Sequence, residues 1–170
     1  MFGRGAVSTE GFDEFCRETY RPALRYALLM TGDPEAAQQA AERAYARAFA
    51  RWPKVAAEPD RDAWLRRAIT REAPPARILD ASHGAPVLIA LAALPVPERA
   101  AVILHGQGRP AIAIAGELET RLVQAERWLA DGEAALGRLL GVRVMSRGRS
   151  APALLDLGLL PPAAGGRDDR

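Results

Sequence analysis

Cysteine, lysine and histidine are almost missing from these 170 residues: Cys16 and Lys54 are the single examples of their types, and His83 and His105 are the two histidines. One cysteine excludes an intramolecular disulfide framework and any cysteine-based zinc site, so Cys16 reads as a small apolar residue on a helix. Aromatic residues make up only 6% of the chain, and with β-branched residues also sparse the composition argues against a strand-rich fold. No run of about 18 consecutive apolar residues is present, which excludes a hydropathic membrane span. The opening Met1-Phe2-Gly3-Arg4-Gly5 lacks the apolar stretch of a signal peptide, so a cytoplasmic protein without membrane insertion is expected. Nor is there an excess of charge. The 23 basic and 21 acidic residues leave a formal +2, which excludes a polybasic nucleic-acid coat but permits a local basic face.

What the chain has is alanine, at 35 positions, and arginine, which supplies 22 of the 23 basic residues. Alanine has the best intrinsic helix propensity, and a 49% hydrophobic content suffices to bury a core. The expectation is an all-α protein: two small helical domains joined by a Pro/Ala/Gly linker, the second a helix-turn-helix.

The periodicity places the first helix from about Ser8 and Thr9, with Phe12, Phe15, Cys16, Tyr20, Leu24, Ala27, Leu28 and Met30 recurring mostly at three- and four-residue steps. Pro22 is expected to kink or divide it. Gly32 ends it, and Asp33 followed by Pro34 has the form of a capped restart. The second helix should run to about Trp52, burying Ala37, Ala40, Ala41, Ala44, Tyr45, Ala48 and Phe49, with Arg43, Arg47 and Arg51 on another face. Pro53 and Pro59 bracket a predicted loop. Asp60 or Asp62 then caps a third helix that buries Trp64, Leu65, Ala68 and Ile69, stopped by Pro74 and Pro75.

These segments define a first domain over 8–73, a linker over 74–86 and a second domain over 87–141. In the second domain short helices are expected over 87–94, 97–105 and 110–118, with a longer one over 121–140. Gly106-Gln107-Gly108 provides a turn, and the outline is that of a helix-turn-helix. The remainder, 142–170, reads as a flexible tail with a short leucine-rich segment at 154–160. That segment suits docking on this protein's own surface or on a partner.

No pattern supports catalysis. His83 and His105 have no partner in spacing, Asp60 and Asp62 are explained by capping, and no phosphate-cradling loop is present. No catalytic residue, metal site or cofactor is expected. Two features carry function instead. Arg61, Arg66, Arg67, Arg71 and Arg77 lie near Trp52 and Trp64, where guanidinium forks can hold phosphates and aromatic faces can take bases. A solvated helix face over two core tryptophans explains the same residues equally well. The second feature is the helix-turn-helix itself, whose bland alternative is a plain helical hairpin.

In this order, the segments resemble a bacterial RNA polymerase sigma factor of the extracytoplasmic-function type, in a divergent, actinobacterial-like form, over residues 11 to about 140. Phe12-Asp13-Glu14-Phe15 with Tyr20-Arg21-Pro22-Ala23-Leu24 is similar to the family's opening helix, and Asp62-Ala63-Trp64-Leu65-Arg66-Arg67 to the start of its promoter-reading helix. Ala90-Leu91-Ala92-Ala93-Leu94-Pro95 with Glu98-Arg99-Ala100-Ala101-Val102-Ile103-Leu104 is the most specific segment. The resemblance implies a factor that binds core RNA polymerase and directs initiation at promoter DNA, with an anti-sigma or other regulatory protein as a further partner. It places polymerase binding on Gln38, Gln39, Glu42, Arg43 and Arg47, and DNA binding on Arg61, Arg66, Arg67, Arg71 and Arg77 with Arg121, Gln124 and Arg127.

The sequence departs from the family at these positions. Where members carry an acidic pair and then Gln-Glu, this chain has Gln38-Gln39 and Glu42-Arg43; where they carry Asn and then Asp, it has Arg71 and Pro75. Over 91–142 five arginines face six acids, a net of −1, so the expected reading helix gains little from phosphate neutralisation. Gly132 weakens that helix by about 1 kcal/mol relative to alanine. The alternative is therefore a degenerate sigma-like protein that binds polymerase or another regulator without reading promoter DNA. An unrelated helical adaptor is a third possibility.

Overall fold

The computed structural model describes residues 11–75 and 86–141. Every regular element among them is helical: α1 (Phe12–Thr31), α2 (Pro34–Ala50), α3 (Trp52–Ala56), α4 (Arg61–Glu72), α5 (Pro86–Ala92), α6 (Val96–Gly106), α7 (Ala111–Glu117) and α8 (Leu122–Leu140). Residues 76–85 of the expected linker and the tail from 142, with Arg77, His83 and the leucine-rich segment, lie outside the described residues; Pro86, expected at the end of the linker, is the first residue of α5.

Helix ends follow the local chemistry closely. Asp33 caps α2 by accepting from the Ala36 N–H at 2.7 Å, with Pro34 at the first helical position. Asp60 does the same for α4, accepting from Ala63 at 2.8 Å. Gly32 closes α1 at φ 71°, the left-handed conformation that glycine adopts without a Cβ penalty, and donates to the Leu28 carbonyl. Ala73 leaves α4 in an extended conformation, the one that a following proline favours.

Three expectations at the ends are corrected. Ser8 and Thr9 lie outside the described residues, and the N-cap of α1 is Gly11, without a side-chain cap bond. Of the two outcomes expected at Pro22, to kink the first helix or to divide it, division does not occur: α1 is one element from Phe12 to Thr31. Helix α2 stops at Ala50, and the expected loop after Trp52 contains the five-residue α3, since a proline near a helix start removes only an N–H that has no helical partner.

Compactness divides the chain inside α6, into Met1–Ala100 and Ala101–Arg170. In the first unit α1, α2 and α4 pack on one another. Small residues make this close approach possible: Ala37, Ala40, Ala41, Ala44 and Ala48 of α2 are all buried. Phe15, Tyr26, Met30, Trp52, Val55, Leu65 and Ile69 fill the rest. Helix α5 packs on α1 through Val87, Ala90 and Leu91. In the second unit α7 packs on α8, with Ile103, Leu104, Ile114, Ala115, Ala125 and Leu136 buried. Gly108, at φ 83°, makes the turn before α7.

Candidate functional site

The α2 surface is built by helical spacing. At about 100° per residue, Gln38, Gln39, Glu42, Arg43 and Arg47 fall opposite the buried alanine stripe, and all five are exposed. Two polar pairs run along the helix: Gln38 Nε2 donates to Glu42 Oε1 at 2.9 Å, and Gln39 Nε2 to Glu35 Oε1 at 3.3 Å. Such surface bonds exchange readily with water or with a partner's groups. Arg47 differs from the other four. It forms an ion pair with Glu72 at the end of α4, so it ties two helices together.

Beside this polar face lies a feature that the sequence pattern missed. Tyr45 and Phe49 were expected in the buried stripe of α2, but Phe49 is 46% exposed and Tyr45 half-buried; Tyr20, expected on the apolar face of α1, is 44% exposed. Tyr20 stacks on Tyr45 at 6.3 Å between centroids, and Phe12 meets Phe49 edge-on at 5.1 Å. Helical steps of four, seven and eleven residues put Gln38, Glu42, Tyr45 and Phe49 in one row. The polar face of α2 thus continues into an aromatic one. The signal was present in the spacing, but alanines beside the aromatics take the buried positions because they let α1 approach.

Beneath this face Thr19 Oγ1 donates to the Phe15 carbonyl at 2.6 Å, which leaves the Tyr45 hydroxyl to donate to Thr19 at 2.8 Å. Burial pushes the Tyr45 phenol up to about 12; its bond with Thr19 acts in the opposite direction. Cys16 is half-buried, and burial followed by the charge of Asp13 raises its thiol above the ordinary value, which disfavours a reactive thiolate.

The arginines of α4 do not form one patch. Arg67 and Arg71 share a flank with the half-buried Trp64 at three- and four-residue steps, whereas Arg66 projects about 100° away from Arg67. Arg67 lies 4.0 Å from Glu58, and the Arg61 guanidinium sits 5.8 Å from the centre of the Phe15 ring. Arg61 and Arg71 are exposed and Arg66 and Arg67 half-buried. Trp64 is therefore not the core residue expected; Trp52 is, at 2% exposure. Trp64 and the flanking arginines are the part of α4 able to meet an anion and a planar ring together.

On α8, Arg121 is the exposed N-cap, Gln124 is half-buried and Arg127 is exposed. Arg127 Nε lies 3.6 Å from Asp131 Oδ2, one turn along the same helix. Arg109 is directed inward, 3.6 Å from the buried carboxylate of Glu117. His105 bridges the end of α6 to α8, with Nε2 at 3.8 Å from Glu133 and Nδ1 at 3.3 Å from the Arg109 carbonyl. Burial raises the Glu133 carboxyl above its ordinary value, opposed by His105. Arg121, Arg127 and Arg138 are thus the exposed cations of residues 101–141, matched by exposed Glu119, Glu126 and Asp131. The charge balance read from the whole block holds at its surface.

Among the described residues no group of His, Cys, Asp and Glu could hold a metal ion, and no helix is long and apolar enough to cross a membrane. No protein-family model matches the sequence, and no curated protein gives a significant match. Among solved structures, the fold is similar to that in the co-crystal structure of the sigma factor RpoE with the anti-sigma factor NepR from Bartonella quintana. The TM-score is 0.60 at 18% identity, covering 77% of this chain and 99% of the other. At that identity the likeness is one of fold: the all-α arrangement is shared along nearly the whole of a sigma-factor chain.

Proposed function

We propose that this chain is a sigma factor of the extracytoplasmic-function type, which binds core RNA polymerase and directs transcription initiation at promoters in the cytoplasm. The observation that carries this reading is the all-helical fold shared with 99% of a sigma-factor chain at a TM-score of 0.60. Residues 8–73 supply most of the contact in this reading. Gln38, Gln39, Glu42 and Arg43 meet polymerase on the exposed side of α2, and Arg47 holds that surface against α4 through Glu72. Arg66, Arg67, Arg71 and Arg77 take DNA phosphates, and Arg61 sits at the start of the same helix. Residues 87–141 form the helix-turn-helix part, where Arg121, Gln124 and Arg127 meet DNA. The neighbour's complex with an anti-sigma factor supports a regulatory protein as a further partner.

A second reading rests on the charge of α8. With Arg127 beside Asp131, and exposed acids equal in number to exposed arginines over 101–141, this part gains little from approaching a polyanion. In this reading the chain occupies polymerase or another regulator without reading promoter DNA. One experiment separates the two. The purified chain is mixed with core polymerase, and co-elution and promoter-dependent transcripts are scored separately. Both together support the sigma factor. Co-elution with no transcript from any genomic fragment supports the second reading, and absence of co-elution overturns both.

A further inference from the structure

Arg99 is 3% exposed, and among the described residues no carboxylate pairs with it. Its guanidinium is instead surrounded by backbone carbonyls. Nε donates to Leu91 O at 2.8 Å, Nη2 to Ala92 O at 3.1 Å and to Leu94 O at 2.7 Å, and Nη1 to Met30 O. Leu91 and Ala92 are the last residues of α5, Leu94 lies in the turn before α6, and Met30 lies in the last turn of α1. Carbonyls at helix ends have no partner within the helix and carry the negative end of its dipole. One arginine fork thus satisfies the ends of two helices from a third.

The balance of forces at this joint is close. Helix α5 has seven residues, too few to persist without packing. Its buried face of Val87, Ala90 and Leu91 is small. One charge-assisted bond, from Nη1 to Met30 O, crosses to α1 and favours docking, while the other three hold the α5–α6 corner together around the guanidinium; the loss of its hydration on burial opposes docking. In water the same cation and carbonyls are fully solvated, so the separated state leaves no polar group stranded. By contrast α1, α2 and α4 enclose a core with buried aromatic and alanine side chains that do not depend on Arg99.

We propose that Arg99 is a reversible latch: it docks the α5–α6 corner on the C-terminal end of α1, and when it opens residues 86–99 lose their contacts with α1 together while α1, α2 and α4 stay folded. This goes beyond the sigma-factor reading and does not depend on it. Undocking exposes Val87, Ala90 and Leu91, so the released state presents an apolar segment that the docked state hides.

Native-state hydrogen exchange on the full chain tests the latch. In the unaltered protein under mild denaturant, amides of residues 87–100 are expected to exchange as one group, before those of α2 and α4. Lysine carries a single ammonium that cannot span carbonyls on both sides of the joint. Arg99→Lys should therefore raise exchange over 87–100 by about tenfold or more while leaving α2 and α4 unchanged. Exchange of 87–100 in step with α2 and α4 in the unaltered protein overturns the latch. So does an Arg99→Lys variant in which all three segments accelerate equally, or in which 87–100 does not change. Should the variant fail to fold, the grouping in the unaltered chain decides the matter by itself.

Discussion

The hydroxyls of Tyr26 and Thr70 lie 2.8 Å apart, and Thr70 donates to the Arg66 carbonyl at 2.9 Å. Thr70 has one proton to give, so Tyr26 is the donor to Thr70. The chain Tyr26 to Thr70 to Arg66 O fixes the side of α4 that carries Arg66 against α1. Tyr26→Phe removes a buried donor and should lower unfolding free energy by about 1 kcal/mol in urea titration. Adding Thr70→Val should cost less than it does alone, because both partners are then gone. Strict additivity in this cycle would mean that the two hydroxyls do not act together.

The phenol of Tyr45 gives a prediction at high pH. Its value in the fold, about 12, lies above the ordinary 10.0, chiefly because burial penalises the phenolate. A raised value stabilises the fold fully below pH 10 and loses that contribution as pH rises toward about 12. Urea midpoints should fall across this window, and Tyr45→Phe should flatten the fall. Phenolate absorbance of the folded chain should contain a component ionising near 12 that Tyr45→Phe removes. Equal slopes for the variant and the unaltered protein would assign the loss to other groups.

Much of this framework is legible in the residues because the informative signals are local. Asp33-Pro34, Asp60 and Gly32 act on backbone groups within four positions, and the structure places each at the helix end its chemistry suits. The partners of charged side chains are not local. Arg47 meets Glu72 from another helix, and Arg99 meets Met30 from the far end of its unit. Arg99 follows Glu98 directly and precedes the apolar run Ala100-Ala101-Val102-Ile103-Leu104, which is little sign in the sequence that it is buried. Tyr45 and Phe49 depart from expectation for a different reason: helical period gives a direction, but which residues along its edge are covered depends on how closely the neighbouring helix approaches.

Glu133 supplies a test at low pH. Burial raises its carboxyl above the ordinary 4.5, so the neutral acid is favoured in the fold. The associated stability is fully present below pH 4.5 and is lost as pH rises through the higher value in the fold. Glu133→Gln keeps a neutral group of the same shape and should remove this slope. The fluorescence of Trp128, five residues earlier on α8, reports it during urea titration at a series of pH values. A slope that persists in the variant would place its origin elsewhere.

The placement of charge predicts which helix bears on DNA. On α8, Arg127 lies beside Asp131, so Arg127→Ala removes a cation already balanced and exposes an acid. On α4, Arg66 and Arg67 are half-buried on two flanks of one helix, with Arg67 4.0 Å from Glu58, and in the sigma-factor reading each turns its guanidinium to a separate phosphate. The salt dependence of binding to duplex DNA should therefore weaken by about two units of slope in Arg66→Ala with Arg67→Ala, at about 0.9 for each phosphate no longer neutralised. Arg127→Ala should change the slope by about zero, since little counterion is released at a neutral surface. The opposite order would move the DNA-facing surface from α4 to α8. A slope near zero in the unaltered chain would remove duplex DNA as a partner and leave the protein-binding reading.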